Sequence, residues 1–118
     1  MKFLINILIG FSLTTGSAFA EYFGTSSVSR FILENTGILQ FGISGSAPNT
    51  CSYYGAFFKL DTTTPQGSSM YAMLLSAKLS GVPVQLWYTN TTAPAGSNEA
   101  GGCVTSKLAT ITAVALPE

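Results

Sequence analysis

No histidine occurs among the 118 residues, and that absence removes Ser-His and Cys-His nucleophile pairs together with the commonest metal ligand. Two cysteines, Cys51 and Cys103, and five carboxylates, Glu21, Glu34, Asp61, Glu99 and Glu118, make up the rest of the reactive inventory. The acids are too scattered to build a zinc or calcium cage, so no metal is expected. Glycoside cleavage needs two carboxyls about 5 to 10 Å apart. Asp61 with Glu34 or Glu99 is the pairing to consider, against the plainer reading that loop acids are solvated. Gly101-Gly102 has neither a P-loop lysine nor a Rossmann spacing beside it. No enzyme and no cofactor are indicated, which leaves binding.

Sugars present hydroxyls and apolar ring faces, so a lectin-like site needs short polar side chains beside an aromatic. Three stretches qualify: Thr25-Ser26-Ser27 with Tyr22, the pair Tyr53-Tyr54, and Trp87-Tyr88 running into Asn90-Thr91-Thr92. Each has a structural alternative. Tyr54 and Phe58 read as core, Trp87 as packing for an interface or loop, and serines before a strand as turn residues. Asn90-Thr91-Thr92 also matches a glycosylation sequon, which has meaning only in a eukaryotic secretory pathway.

The element that must position these residues is the stretch from Gly67 to Tyr88. From Ser68 to Leu79 the chain is apolar at Met70, Tyr71, Ala72, Met73, Leu74, Leu75, Ala77 and Leu79. A helix that greasy must be covered on two sides, by its own domain and by another subunit. Gly81 supplies a left-handed cap and Pro83 prevents continuation, so Val84 to Thr89 follows as a strand.

Lys2, the apolar run Phe3 to Leu13 and Ala18-Phe19-Ala20 have the charged start, greasy middle and A-x-A cut of a secretory signal peptide. Residues 1–20 are therefore assigned as leader and 21–118 as one domain, secreted or periplasmic, with no stretch long enough to insert in a membrane. A core of that size is marginal and calls for a staple. Cys51 and Cys103 in an exported chain are expected to be disulfide-bonded. Beyond residue 20, four cations (Arg30, Lys59, Lys78, Lys107) face the five carboxylates, a net charge of −1. Such a surface has no electrostatic pull on nucleic acid or anionic lipid.

In order, the chain reads as a polar lead-in (Glu21 to Ser27), a strand at Val28 to Leu33, a turn at Asn35-Thr36-Gly37, and a strand at Ile38 to Ser44 with Leu39, Phe41 and Ile43 facing the core. A third strand is expected from Cys51 to Leu60, with Gly55 as a bulge or close-approach point, then a capped helix start in Asp61 to Gln66. Asn90 to Gly102 is a long loop that Cys103 would tie down. The last strand is placed at Lys107 to Leu116, with Leu108, Val114 and Leu116 on one face. The order β-β-β-α-β-β, mainly β with one helix, matches the OB-fold, a five-stranded Greek-key barrel. An open α+β sheet is the competing architecture.

Glu21-Tyr22-Phe23-Gly24, the stretch Thr36-Gly37-Ile38-Leu39-Gln40-Phe41-Gly42-Ile43, and above all Ser80-Gly81-Val82-Pro83-Val84-Gln85-Leu86-Trp87-Tyr88 behind an apolar helix resemble the B subunits of subtilase cytotoxin and typhoid toxin. The resemblance implies an OB-fold subunit in a homopentamer whose helices line a central pore, here through Met70, Met73, Leu74 and Ala77. It implies binding of sialylated or related host-cell glycans and a separate catalytic toxin A subunit as partner. By that resemblance Ser27, or Ser26 one residue earlier, would hold the sialic acid carboxylate, and Tyr88 would contact the sugar. The rival reading is a secreted or periplasmic OB-fold interaction or inhibitor module without a toxin partner, using the loop from Asn90 to Gly102.

Overall fold

A computed structural model describes residues 21–45 and 47–117. The leader assigned to residues 1–20 lies outside them. The elements are β1 (Glu21–Ser26), β2 (Val28–Leu33), β3 (Ile38–Ile43), β4 (Phe58–Asp61), α1 (Pro65–Ser80), β5 (Val84–Tyr88) and β6 (Ala109–Ala115), with short 3-10 turns at Glu99–Gly101 and Thr105–Lys107. The fold is mainly β with one helix. Its strand order is β1-β5-β6-β4-β3-β2, antiparallel throughout except for the parallel β4–β6 pair.

Six strands stand where the sequence pattern predicts five, because the lead-in is itself a strand. Its residues do not alternate, yet β5 supplies a partner: Tyr22 lies opposite Trp87 and Ser26 opposite Val84, with the register slipping between Tyr22 and Gly24. The end strands β1 and β2 are consecutive in the chain, separated by Ser27 alone. No ladder joins them among the described residues, so the sheet is not hydrogen-bonded shut into a barrel.

The third strand is shorter than its composition predicts. Tyr53 and Ala56 exchange backbone hydrogen bonds of 2.9 and 3.0 Å around a two-residue turn, with Tyr54 at φ 49° and Gly55 at φ 88°. That turn ends any extended run from Cys51. It presses against β3 so closely that a Cβ on Gly42 would lie 2.1 Å from the Gly55 carbonyl oxygen, which is the close approach expected at Gly55. The turn also carries Tyr54 outward to 57 % exposure, whereas Phe58 is fully buried. Tyr54 is therefore not core.

Helix α1 starts where the Thr64 side chain accepts a hydrogen bond of 2.9 Å from the Gly67 N–H and Pro65 occupies the first turn. It stops at Gly81, left-handed at φ 72°, whose N–H reaches back to the carbonyls of Ala77 and Lys78. Leu74 and Ala77 are buried in the chain's own core beside Phe41, Phe58, Leu60, Val84 and Leu86, with Met70 and Tyr71 packed against them. This corrects the pore assignment for Leu74 and Ala77, which have no surface to offer a neighbour. Met70 is turned partly the same way. The outward positions include Ser69, Ala72, Ser76, Lys78 and Leu79, the last 78 % exposed.

β6 also departs from its expected face. Leu108 sits in a smaller cluster with the cysteines, and Ala109 and Ile111 enter the main core. A register slip opposite Trp87 and Tyr88 then brings Val114 inward, and Leu116 ends exposed.

Cys51 and Cys103 form a disulfide with Cα atoms 6.0 Å apart, at the centre of the cluster containing Ala56, Ala93 and Leu108. Around it the long loop is laced to the segment before Tyr53. Thr91 N–H donates to the Asn49 carbonyl, Gly96 N–H to Thr50, and Ser52 N–H to Ser97, at 2.8 to 3.1 Å. The bridge spans a sequence separation of 52, for which loop-closure entropy gives about 4 kcal/mol. The double variant Cys51→Ser/Cys103→Ser should lose about 2 to 5 kcal/mol in urea unfolding. A midpoint unchanged from the oxidised wild type would show that the bridge stabilises nothing.

Candidate functional site

The serines and the tyrosine singled out by the sequence do not meet. Ser26 is buried and its hydroxyl donates to the Ser44 carbonyl at 3.1 Å, so it is engaged within the fold. Ser27 is exposed, and its carbonyl accepts the Ser44 N–H at 2.9 Å. Tyr88 has no exposed surface. Its ring packs on Phe58 with centroids 5.1 Å apart, and its hydroxyl donates to the Pro48 carbonyl at 2.7 Å. In the β1–β5 ladder Ser26 pairs with Val84 and Glu21 with Tyr88, which places the two ends about 13 Å apart at strand rise. Tyr88 is thus a core residue, and the Ser27–Tyr88 pairing expected from the resemblance is not assembled.

What the ladder assembles instead is Tyr22 on Trp87. The two are register partners, their ring centroids 4.8 Å apart and tilted by 42°. Alternation explains the placement. Val84, Leu86 and Tyr88 of β5 face the core, so Gln85 and Trp87 face outward. On one side Thr25 pairs with Gln85; on the other, Ala115 pairs with Gln85 and Ala113 with Trp87. Two aromatic rings therefore stand side by side on the outward face, with the Thr25 hydroxyl and Gln85 amide further along and the small side chains of Ala113 and Ala115 flanking β5 on β6. Tyr22 is 52 % exposed and Trp87 half-buried. Sequence reading had each ring in a separate stretch, because only a strand at Glu21–Ser26 brings them together.

A second surface feature is a cleft of about 300 Å³ lined by Glu34, Ile38, Lys59, Asp61, Thr105, Ser106 and Thr110. It brings Asp61 and Glu34 to one place and leaves Glu99 elsewhere. Thr63 donates its hydroxyl and N–H to the Asp61 carboxylate, at 2.6 and 2.9 Å, and holds that carboxyl below its ordinary pKa. A general acid needs the opposite shift. Glu34 accepts hydrogen bonds from Thr36 and from the buried Gln40 amide, while Lys59 donates to the Ser106 carbonyl at 2.6 Å. Gln40 Oε1 has no hydrogen-bond partner among the described residues.

The third aromatic stretch is separate again. Tyr53 and Tyr54 lie edge to face at 4.7 Å, and the Tyr54 N–H donates to the Glu99 carboxylate at 3.0 Å. That bond, with the Glu99 backbone N–H, holds the Glu99 carboxyl below its ordinary pKa. Comparison with known proteins finds no matching family model, no matching curated relative and no matching solved structure.

Burial, followed by the nearby Glu21 carboxylate, raises the Tyr88 pKa above its ordinary value of 10.0. Because the folded pKa is raised, the associated stability is complete below the unfolded value of about 10 and is lost as pH climbs through the folded one. Tyr88→Phe should cost about 1 kcal/mol at neutral pH from the lost Pro48 hydrogen bond. In denaturant melts this deficit should shrink as pH rises above about 10, where wild type must expose or ionise its phenol. A deficit independent of pH would contradict the buried, neutral phenol.

Proposed function

We propose that this chain is the sugar-binding subunit of an exported assembly of the toxin A–B type, a ring of OB-fold B subunits that carries a separate catalytic A subunit to host-cell glycans. The observation that carries the reading is the Tyr22–Trp87 pair on the outward face of the sheet, with Gln85 and Thr25 beside it. Aromatic rings cover the apolar face of a pyranose, and amide and hydroxyl groups satisfy its rim. The site residues move accordingly, from Ser27 and Tyr88 to Tyr22, Trp87, Gln85 and Thr25.

Two further features support the architecture. Counted as one strand bent at Ser27, β1 and β2 restore a total of five, with α1 between the third and fourth, as in an OB-fold. Their halves lie at opposite ends of the sheet order, where one bent strand would stitch a barrel together. The outward face of α1 leaves Leu79 largely bare, with Val82 exposed beyond it. Apolar surface at the end of a helix that already fills its own core is what a neighbouring copy would cover.

Tyr22→Ala should weaken binding on a glycan array about tenfold, the equivalent of about 1.4 kcal/mol, with the melting temperature little changed. An array on which the oxidised wild-type protein binds no glycan would overturn the reading. Native mass spectrometry should show a closed oligomer that Leu79→Glu reduces to monomer. A wild-type monomer at high concentration would remove the ring.

A further inference from the structure

The cleft beside the β2–β3 turn is built from register, and the register fixes its chemistry. The Glu34 N–H donates to the Ile38 carbonyl at 3.0 Å, and Ile38 pairs with Asp61. Glu34 and Asp61 therefore flank Ile38, their backbones about 10 Å apart at the usual strand spacing. Two residues along, Gln40 pairs with Lys59 and Lys59 with Thr110. Leu39 and Phe41 fill the main core, so parity turns Ile38 and Gln40 together onto the opposite face, where the cleft lies. Thr105 and Ser106, from the 3-10 turn before β6, complete its lining.

What these residues lack is a donor. Gln40 is only 1 % exposed; its amide nitrogen donates to the Glu34 carboxylate, and its Oε1 receives nothing among the described residues. A buried acceptor left unpaired is a cost that a donating ligand relieves. Both Thr63 bonds to Asp61 end on Oδ1, which leaves Oδ2 for a ligand. Thr63 also holds that carboxyl below its ordinary pKa, so its negative charge persists into mildly acidic solution. The one cation among the lining residues, Lys59, is drawn onto the Ser106 carbonyl at 2.6 Å. Two carboxylates against that single ammonium leave the lining with a net charge of −1.

We propose that this cleft binds a small organic cation, an ammonium or guanidinium on a short chain, held between Asp61 and Glu34 with its hydrocarbon stem on Ile38 and an N–H directed to Gln40 Oε1. Charge-assisted bonds to two carboxylates suit such a group, and a volume of about 300 Å³ suits its size. Gln40 Oε1 is closed to solvent, so the ligand reaches it only when a side chain above it moves. Lys59, its register partner, has the length and freedom to do so. Neither Tyr22 nor Trp87 lines this cleft, and the inference does not depend on the sugar reading.

The test follows the backbone amide signals of the oxidised protein by NMR during titration with putrescine and agmatine, with 1,4-butanediol as the uncharged control. At least one of the two cations should shift the amides of Ile38, Lys59, Thr105 and Thr110 saturably, more weakly as salt is raised, while butanediol shifts none of them. Asp61→Asn and Glu34→Gln should each weaken binding about three- to fivefold, and the double variant should abolish it. Glu34→Gln keeps an acceptor for Thr36 and leaves the Asp61–Thr63 bonds at the helix start alone, so it reads the site even if Asp61→Asn disturbs folding. Shifts with both cations no larger than with butanediol, shifts centred on other carboxylates such as Glu21 or Glu99, or affinity unchanged in Glu34→Gln would each overturn the proposal.

Discussion

The ladder between Glu21–Ser26 and Val84–Tyr88 fixes the parity of both strands, and in a pleated sheet parity decides which side chains are buried. With Val84, Leu86 and Tyr88 inward, Trp87 has to face out, and its register partner Tyr22 has to face out beside it. A slip of one residue would bury the indole and expose the phenol. Tyr88 resists that slip. Its hydroxyl reaches the Pro48 carbonyl and its ring fills the core next to Phe58. The same contacts that remove Tyr88 from the surface therefore hold Trp87 on it.

The rest of the domain keeps that face rigid. Leu39, Phe41, Phe58 and Leu60 from the paired strands β3 and β4 meet Leu74 and Ala77 of the helix in one core. The disulfide organises a second, smaller cluster beneath the long loop. Backbone bonds from Thr91, Gly96 and Ser97 to the Asn49–Ser52 segment give that loop an ordered path. Asn49 then connects the two regions, holding Thr91 through its carbonyl and Glu21 through its side chain. Glu21, on the Tyr88 side of β1, is thus positioned by the cysteine-anchored half of the molecule.

Strong local signals in the sequence were legible: the alternation of Leu39, Phe41 and Ile43, a capped helix start within Asp61 to Gln66 and its stop at Gly81, and the pairing of the only two cysteines. What escaped was set by partners distant in sequence. Nothing local marks Glu-Tyr-Phe-Gly-Thr-Ser as a strand, because its regularity is borrowed from β5 and broken by a bulge. The third strand failed for the opposite reason, a turn at Tyr54-Gly55 hidden in a run that otherwise favours strand. Composition located the helix but not its rotation. An apolar segment nearly all round gives no periodicity from which to say that Leu74 and Ala77 point inward and Ala72, Ser76 and Leu79 outward. The candidate site fell into the same gap, since its two rings lie 65 positions apart along the chain and only the ladder joins them.

The account stands on sugar protons lying against the Tyr22 and Trp87 rings. Nuclear Overhauser contacts between a bound oligosaccharide and the oxidised protein measure this directly. The prediction is cross-peaks from the ring C–H protons of the sugar to the indole of Trp87 and the phenol ring of Tyr22. Contacts confined to Ile38, Thr105 and Thr110 in the acidic cleft, or to Ser27, would contradict it.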